Sequence, residues 1–183
     1  MCIRDSQRRD RLVAGASGRA RRLGRRRRGP SRGGTPVSAR VAVRVALLFL
    51  VVTALLVGVW AAIAPRSFYL DFPGGSHMWV AADGPYNEHL VRDVGELNLA
   101  LAVVTACALV WLTRAITVAA ALAWLVYSIP HFAYHAFNLG VVSGGDQPAE
   151  LVSLAIPILL AGVVLVLATR AELAVRPGAG RAR

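Results

Sequence analysis

The sequence contains no lysine, and beyond residue 40 it has little net charge of either sign. Residues 41–183 carry eight Arg and eight acids, which sum to zero. The formal charge of +11 therefore sits in residues 1–40, where 13 Arg face only Asp5 and Asp10. Cysteine is equally scarce. Cys2 and Cys107 are the only two, so neither a disulfide framework nor a CxxC metal pair can be built. No GxSxG elbow surrounds Ser128 or Ser153, which removes both as nucleophiles of that kind. No HExxH or ExxH motif accompanies the histidines. These absences leave no recognisable catalytic signature, and the sequence names no cofactor.

Apolar residues fill the space that charge vacates. They make up 56% of the chain, with a mean hydropathy of +0.53. Soluble domains hold about 45–50%, so the composition points to a membrane protein. Crossing the hydrocarbon core takes about 20 apolar residues in a helix. Val45 to Ala64 is an uncharged run ended by Pro65-Arg66. Leu97 to Leu112 is shorter and spans only if it extends back through His89–Glu96. Ala115 to Val142 is free of Asp, Glu and Arg but contains Pro130. Leu151 to Thr169 ends at Arg170. The expected fold is all-α, a four-transmembrane-helix bundle over residues 41–170, with helices at 42–64, 88–112, 115–139 and 149–170. A long loop joins the first two helices. The dominance of Ala, Gly, Val and Arg reads as the codon bias of a GC-rich bacterial genome.

Residues 1–40 are rich in Arg, Gly and Ser and cannot bury enough surface to fold, so they are expected to form a disordered cytoplasmic tail. Arg25 to Arg28 would attract anionic lipid. Nucleic acid is not the expected partner, since the same run serves as a solvated flank that enforces orientation. The opening MCIRDS resembles a translated sequencing-adaptor remnant, so a native start nearer Val37 is expected. The first apolar run is too long for a secretory signal and lacks a small-residue cleavage site before Pro65. Residues 171–183 read as a short basic tail.

Arginine placement sets the expected orientation. Arg44, Arg114, Arg170, Arg176, Arg181 and Arg183 fall on one side, together with the tail. The opposite side has Arg66 beside Asp71, Asp83 and Glu88. Both termini are therefore expected in the cytoplasm and the protein in the inner membrane. The loop 65–87 would then lie outside, its aromatics at the headgroup layer and Pro73-Gly74-Gly75 forming a turn. It reads either as an interfacial connector or as a lid that includes His77, acting with the Gly-rich loop 140–149.

Two polar stripes stand out against this background. His89, Arg92, Asp93 and Glu96 recur at i, i+3, i+4 and i+7, one face of a helix. His131, Tyr134, His135 and Asn138 repeat the spacing, and Tyr127 and Ser128 extend that face a turn deeper. About a turn at Thr113-Arg114, Glu96 and His131 are equidistant, as are Arg92 and His135. Seventeen residues at 1.5 Å put Glu96 and His131 roughly 26 Å from the turn, just inside a core about 30 Å thick. The expected cluster is thus Arg92, Asp93, Glu96, His131, Tyr134 and His135, with the Glu96–His131 pair most in need of a buried partner. Asn98, about 160° from Asp93 and Glu96 on a helical wheel at ~100° per residue, is expected to point elsewhere. Pro130 should kink the third helix at the height of His131.

Three readings of the cluster stay open. It can be a hydrogen-bond network that pins two helices, typically worth about 0.6 kcal/mol per contact in membranes. It can bind an anionic or redox-active small molecule through Arg92 and the imidazoles. It can hold a metal through His131, His135 and Glu96. A proton relay through the histidines is a further option.

PYNEHLVRDVGELNLAL (85–101), PHFAYH (130–135) and SFYLDFPGG (67–75) together resemble a group of uncharacterised four-helix integral membrane proteins of high-GC bacteria. Arg92-Asp93-x-Gly95 also resembles the start of a helix in small DoxX-like membrane proteins. The resemblance covers residues 42–170 and implies a four-span fold and a membrane redox partner, with no catalytic residue to carry over. The expectation is an accessory or small-molecule-binding membrane component with an outer-side polar pocket between helices two and three. The alternatives are a subunit of a DoxX-like oxidoreductase or a small transporter. The expected partners are the lipid bilayer and either a second copy of the chain or a membrane redox protein.

Overall fold

The computed structural model describes residues 37–75, 77–142 and 144–170. The tails at 1–36 and 171–183 lie outside the described residues, so the expectations about them stay untested. The described chain is all α, with no strand. In order it forms α1 (Val37–Ile63), α2 (Pro65–Asp71), α3 (Trp79–Ala82), α4 (Glu88–Trp111), α5 (Arg114–Phe137) and α6 (Gln147–Arg170). Four of these helices are long and apolar enough to cross a membrane: the segment Ser38–Ile63 of α1, together with α4, α5 and α6. At 1.5 Å per residue, 24 residues reach about 36 Å, more than the ~30 Å core. The chain is a multi-pass membrane protein built as a four-helix bundle.

Local chemistry sets the boundaries. Pro65 opens α2 in the first turn, where its missing N–H costs nothing. Asn87 caps α4 by accepting from the Leu90 N–H at 3.2 Å. The α4–α5 turn falls at Leu112 and Thr113, within one residue of its expected place. Leu112 takes the left-handed conformation (φ 47°) that commonly ends a helix, although glycine is the usual residue there. Its side chain is buried in the bundle and has no freedom to be small.

The helices form a ring in the order α1, α4, α5, α6. The closest approach is between α1 and α4, and glycine makes it. A Cβ on Gly95 would lie 2.5 Å from the Ala62 backbone nitrogen, and one on Gly58 would lie 2.9 Å from Leu99. Small residues let membrane helices approach this closely, where van der Waals packing takes the place of a hydrophobic drive. Around the turn end of the bundle the core is aliphatic: Val43, Ala46, Leu47, Ala108, Leu112, Ala120, Ala121 and Val164 pack together. A second layer holds Leu50, Ala54, Leu101, Ala102, Trp124 and Ala161. Trp124 Nε1 donates to Thr105 Oγ1 at 2.9 Å, tying α5 to α4 at mid-bundle.

The opposite, loop end is built differently. The segment between α1 and α4 is a folded cap, not a plain connector. Phe68 packs on Trp60 and Phe72 with ring centroids 5.7 and 4.8 Å apart. Tyr69 stacks near Tyr86, and its hydroxyl donates to the Gly84 carbonyl at 2.7 Å. His77 Nδ1 lies 3.0 Å from Asp146 Oδ1, joining this cap to the loop before α6.

Candidate functional site

Beneath the cap lies a cavity of about 550 Å³, lined by residues from α1, α4, α5, α6 and the cap. Trp124 lies at its deep end, and Phe72, Trp79 and Asp83 belong to its wall at the cap end. Trp124 is ten residues from the start of α5, roughly 15 Å along the helix, and His135 is roughly 32 Å along. The cavity therefore runs from mid-bundle to the loop end.

One face of α5 supplies a continuous column of rings. Trp124 and Tyr127 meet edge to face at 6.3 Å, and Tyr127 and His131 stack at 5.6 Å with planes 14° apart. His131 and His135 meet at 4.9 Å. The column follows from the sequence, because i, i+3, i+4 spacing puts residues 124, 127, 131 and 135 on one stripe. At its top, His135 Nδ1 lies 2.8 Å from Glu150 Oε1. Both side chains are almost wholly enclosed, at 11% and 4% exposure. His135 Nε2 lies 3.9 Å from Asp83 Oδ2. The imidazole thus sits between two carboxylates, one in the bundle and one in the cap. Lower down, Asn98 Nδ2 donates to the Val94 carbonyl at 2.8 Å and to Tyr127 OH at 3.3 Å. Two buried polar atoms of the cavity wall, Ser128 Oγ and Trp79 Nε1, have no protein partner.

The expected cluster is brought together only in part. His131 and His135 line the cavity; Tyr134 touches His135 edge-on but is half exposed. Arg92, Asp93 and Glu96 do not line it. The Arg92 guanidinium bonds Glu88 Oε1 at 2.9–3.0 Å and the Ala62 carbonyl, where it helps close the end of α1. Asp93 pairs with His89 at 3.5 Å on the surface. Glu96 is exposed. The pairs Glu96–His131 and Arg92–His135 therefore do not form. Rotation of α4 is the reason. Gly95 is pressed against α1, so Val91, Gly95, Asn98 and Ala102 turn inward and Glu96 turns out. Asn98 and Glu96 do lie on opposite sides of α4, but Asn98 is the one that faces inward. The metal set His131, His135 and Glu96 does not converge, and no group of three or more potential ligands does among the described residues.

Sequence reasoning missed Asp83, Glu150 and Asn98 as site residues. Glu150 had a signal, as an acid at the mouth of an apolar helix with no Arg nearby in the chain. Gly95 had one too, because a glycine inside a membrane helix marks the face that meets a neighbour. Asp83 sits in a loop, and no periodicity could have placed it.

No family model matches the chain, and no curated protein or solved structure matches it.

Proposed function

We propose that this protein is a membrane-embedded binding component for a small, mostly apolar molecule with a polar head, held in the cavity at the loop end. The observation that carries the reading is the enclosed His135–Glu150 pair opening onto a 550 Å³ apolar chamber. Cavities that bind small molecules measure about 300–1,000 Å³ and combine apolar walls with a few placed polar groups. This one has that size, that wall and that kind of polar set.

A purely structural role for the polar groups is the competing reading. It explains Trp124–Thr105, which ties α5 to α4 at mid-bundle. It does not explain a chamber left open where packing would gain contacts, with Ser128 and Trp79 unpartnered in its wall; a third unpartnered hydroxyl, Thr117, lies away from it. The arginine distribution supports an orientation with the loop end facing away from the cytoplasm and both termini within it, in the inner membrane of a bacterium. The DoxX-like redox partner rests on the sequence resemblance alone, and the binding reading does not require it.

The test is a titration of purified protein in an uncharged detergent with triphenylphosphine oxide, a compact neutral probe with one polar oxygen. Saturable binding that raises the melting temperature is expected, and Val94→Phe, which fills the chamber from α4, should abolish it. Binding that is unsaturable, or unchanged in Val94→Phe, would count against a site in the cavity.

A further inference from the structure

The charge of the chamber narrows the class of ligand, given the binding reading above. Its ionic lining consists of Asp83 and Glu150 with the imidazoles His131 and His135; no arginine lines it. The chain has no lysine, and Arg92, the arginine closest in sequence to the lining residues of α4, is held by Glu88 and the Ala62 carbonyl outside the chamber. The lining thus offers two carboxylates and two imidazoles, and no group with a fixed positive charge. An anionic head would meet two carboxylates and no fixed cation in a region of low dielectric, where like charges repel strongly. The sequence-based expectation of an anionic ligand held by Arg92 therefore has no partner in this geometry.

A cation meets the opposite conditions. Glu150 is 3% exposed and its carboxylate pairs with His135, while Asp83 faces the other side of the same imidazole. The surrounding wall is aromatic, with Phe68, Tyr69, Phe72, Trp79 and Tyr127 all lining the chamber. Ring faces attract organic cations, most strongly where water is excluded. Ser128 supplies an independent sign of a missing partner. Ser128 is buried and lines the chamber, and its Oγ has no protein partner, so its hydroxyl is free to meet a ligand, its lone pairs included.

We propose that the chamber binds a lipophilic organic cation, an ammonium or comparable onium group on an apolar body. The positive centre lies near Asp83 and the His135–Glu150 pair, against the aromatic wall, and the apolar part extends toward Trp124.

Tetraphenylphosphonium and tetraphenylborate test this directly, because they share shape and apolar surface and differ in the sign of charge. Both are titrated against purified full-length protein in an uncharged detergent, with triphenylphosphine oxide as the neutral control. Tetraphenylphosphonium is expected to bind at least tenfold more tightly than the neutral probe, and tetraphenylborate not to bind above the Val94→Phe background. Asp83→Asn should weaken the cation about tenfold without weakening the neutral probe, whose phosphoryl oxygen can accept from the new amide. Asp83 is partly exposed in the cap, so this variant is expected to fold, whereas Glu150→Gln alters the bundle interior. Equal binding of cation and neutral probe, or cation binding indifferent to Asp83→Asn, would overturn the charge assignment while leaving a binding site in place. Saturable binding of none of the three would overturn both.

Discussion

The two ends of the bundle solve the same packing problem in opposite ways. At the turn end, aliphatic and small side chains close the space between four helices. At the loop end the helices surround a chamber, place a buried imidazole–carboxylate pair in it, and are covered by an aromatic cap. The same helices run through both regions, so the difference is not one of fold. It lies in the side chains each helix turns inward. Dispersion and close approach suffice to hold membrane helices together, as the turn end demonstrates, and the polar groups of the loop end add little to that. A hydrogen bond between membrane helices averages about 0.6 kcal/mol. The ionic pair and the open volume at one end are what the binding proposal rests on.

Substitutions can break this contrast. The largest effect is expected from His135→Ala, which leaves Glu150 enclosed without its partner. Removing one member of a buried pair costs about 3–5 kcal/mol. A large drop in melting temperature in mild detergent would bear this out, and a drop smaller than that of Gly95→Ala would show the pair to be well hydrated. Gly95→Ala itself strikes at the α1–α4 contact, where the new Cβ would lie 2.5 Å from a backbone nitrogen. Overpacking of this kind costs about 1–3 kcal/mol. Gly162→Ala is the matched control, since nothing lies within 4 Å of its Cβ position, and it should be neutral or slightly stabilising in the same melt. Trp124→Phe removes the hydrogen bond to Thr105 and should cost on the order of 1 kcal/mol in the same melt. Glu96→Gln, on the outer face of α4, should change neither melting temperature nor probe binding. A loss of binding in that variant would restore the sequence-based cluster.

Much of the architecture was legible in the residues. The apolar runs marked four helices, and the break at Thr113-Arg114 marked the turn to within one residue. The i, i+3, i+4 spacing placed Tyr127, Ser128, His131 and His135 on one face. Equal distance from the turn gave height correctly but could not give rotation, and rotation decides which side chains meet. For α4 the decisive residue was Gly95, whose missing side chain sets which face touches α1. Charge pulled the reading the other way: Arg92, Asp93 and Glu96 looked as though they needed burial, yet they lie near the end of the helix. There Arg92 closes α1, Asp93 pairs with His89, and Glu96 stays exposed. The partner of His135 came from α6, a helix whose sequence has almost no polar pattern and therefore offered no stripe to align. The cap was visible as a cluster of aromatics, while its fold depended on Trp60–Phe68–Phe72 contacts that no periodicity encodes.

Orientation has its own check. Single cysteines at Gly74 and Gly144, both in loop-end segments, should label with an impermeant maleimide from outside intact cells. Labelling only after the membrane is opened would reverse the assignment.

The central claim is that the loop-end chamber is a binding site, and native mass spectrometry of the protein released from its own membranes tests it most directly. Wild-type protein and Leu154→Trp, which fills the chamber from α6, are compared at matched melting temperature. The account predicts a small-molecule adduct that survives gentle activation on the wild type and is absent from Leu154→Trp. An adduct retained equally by both, or by neither, would contradict it.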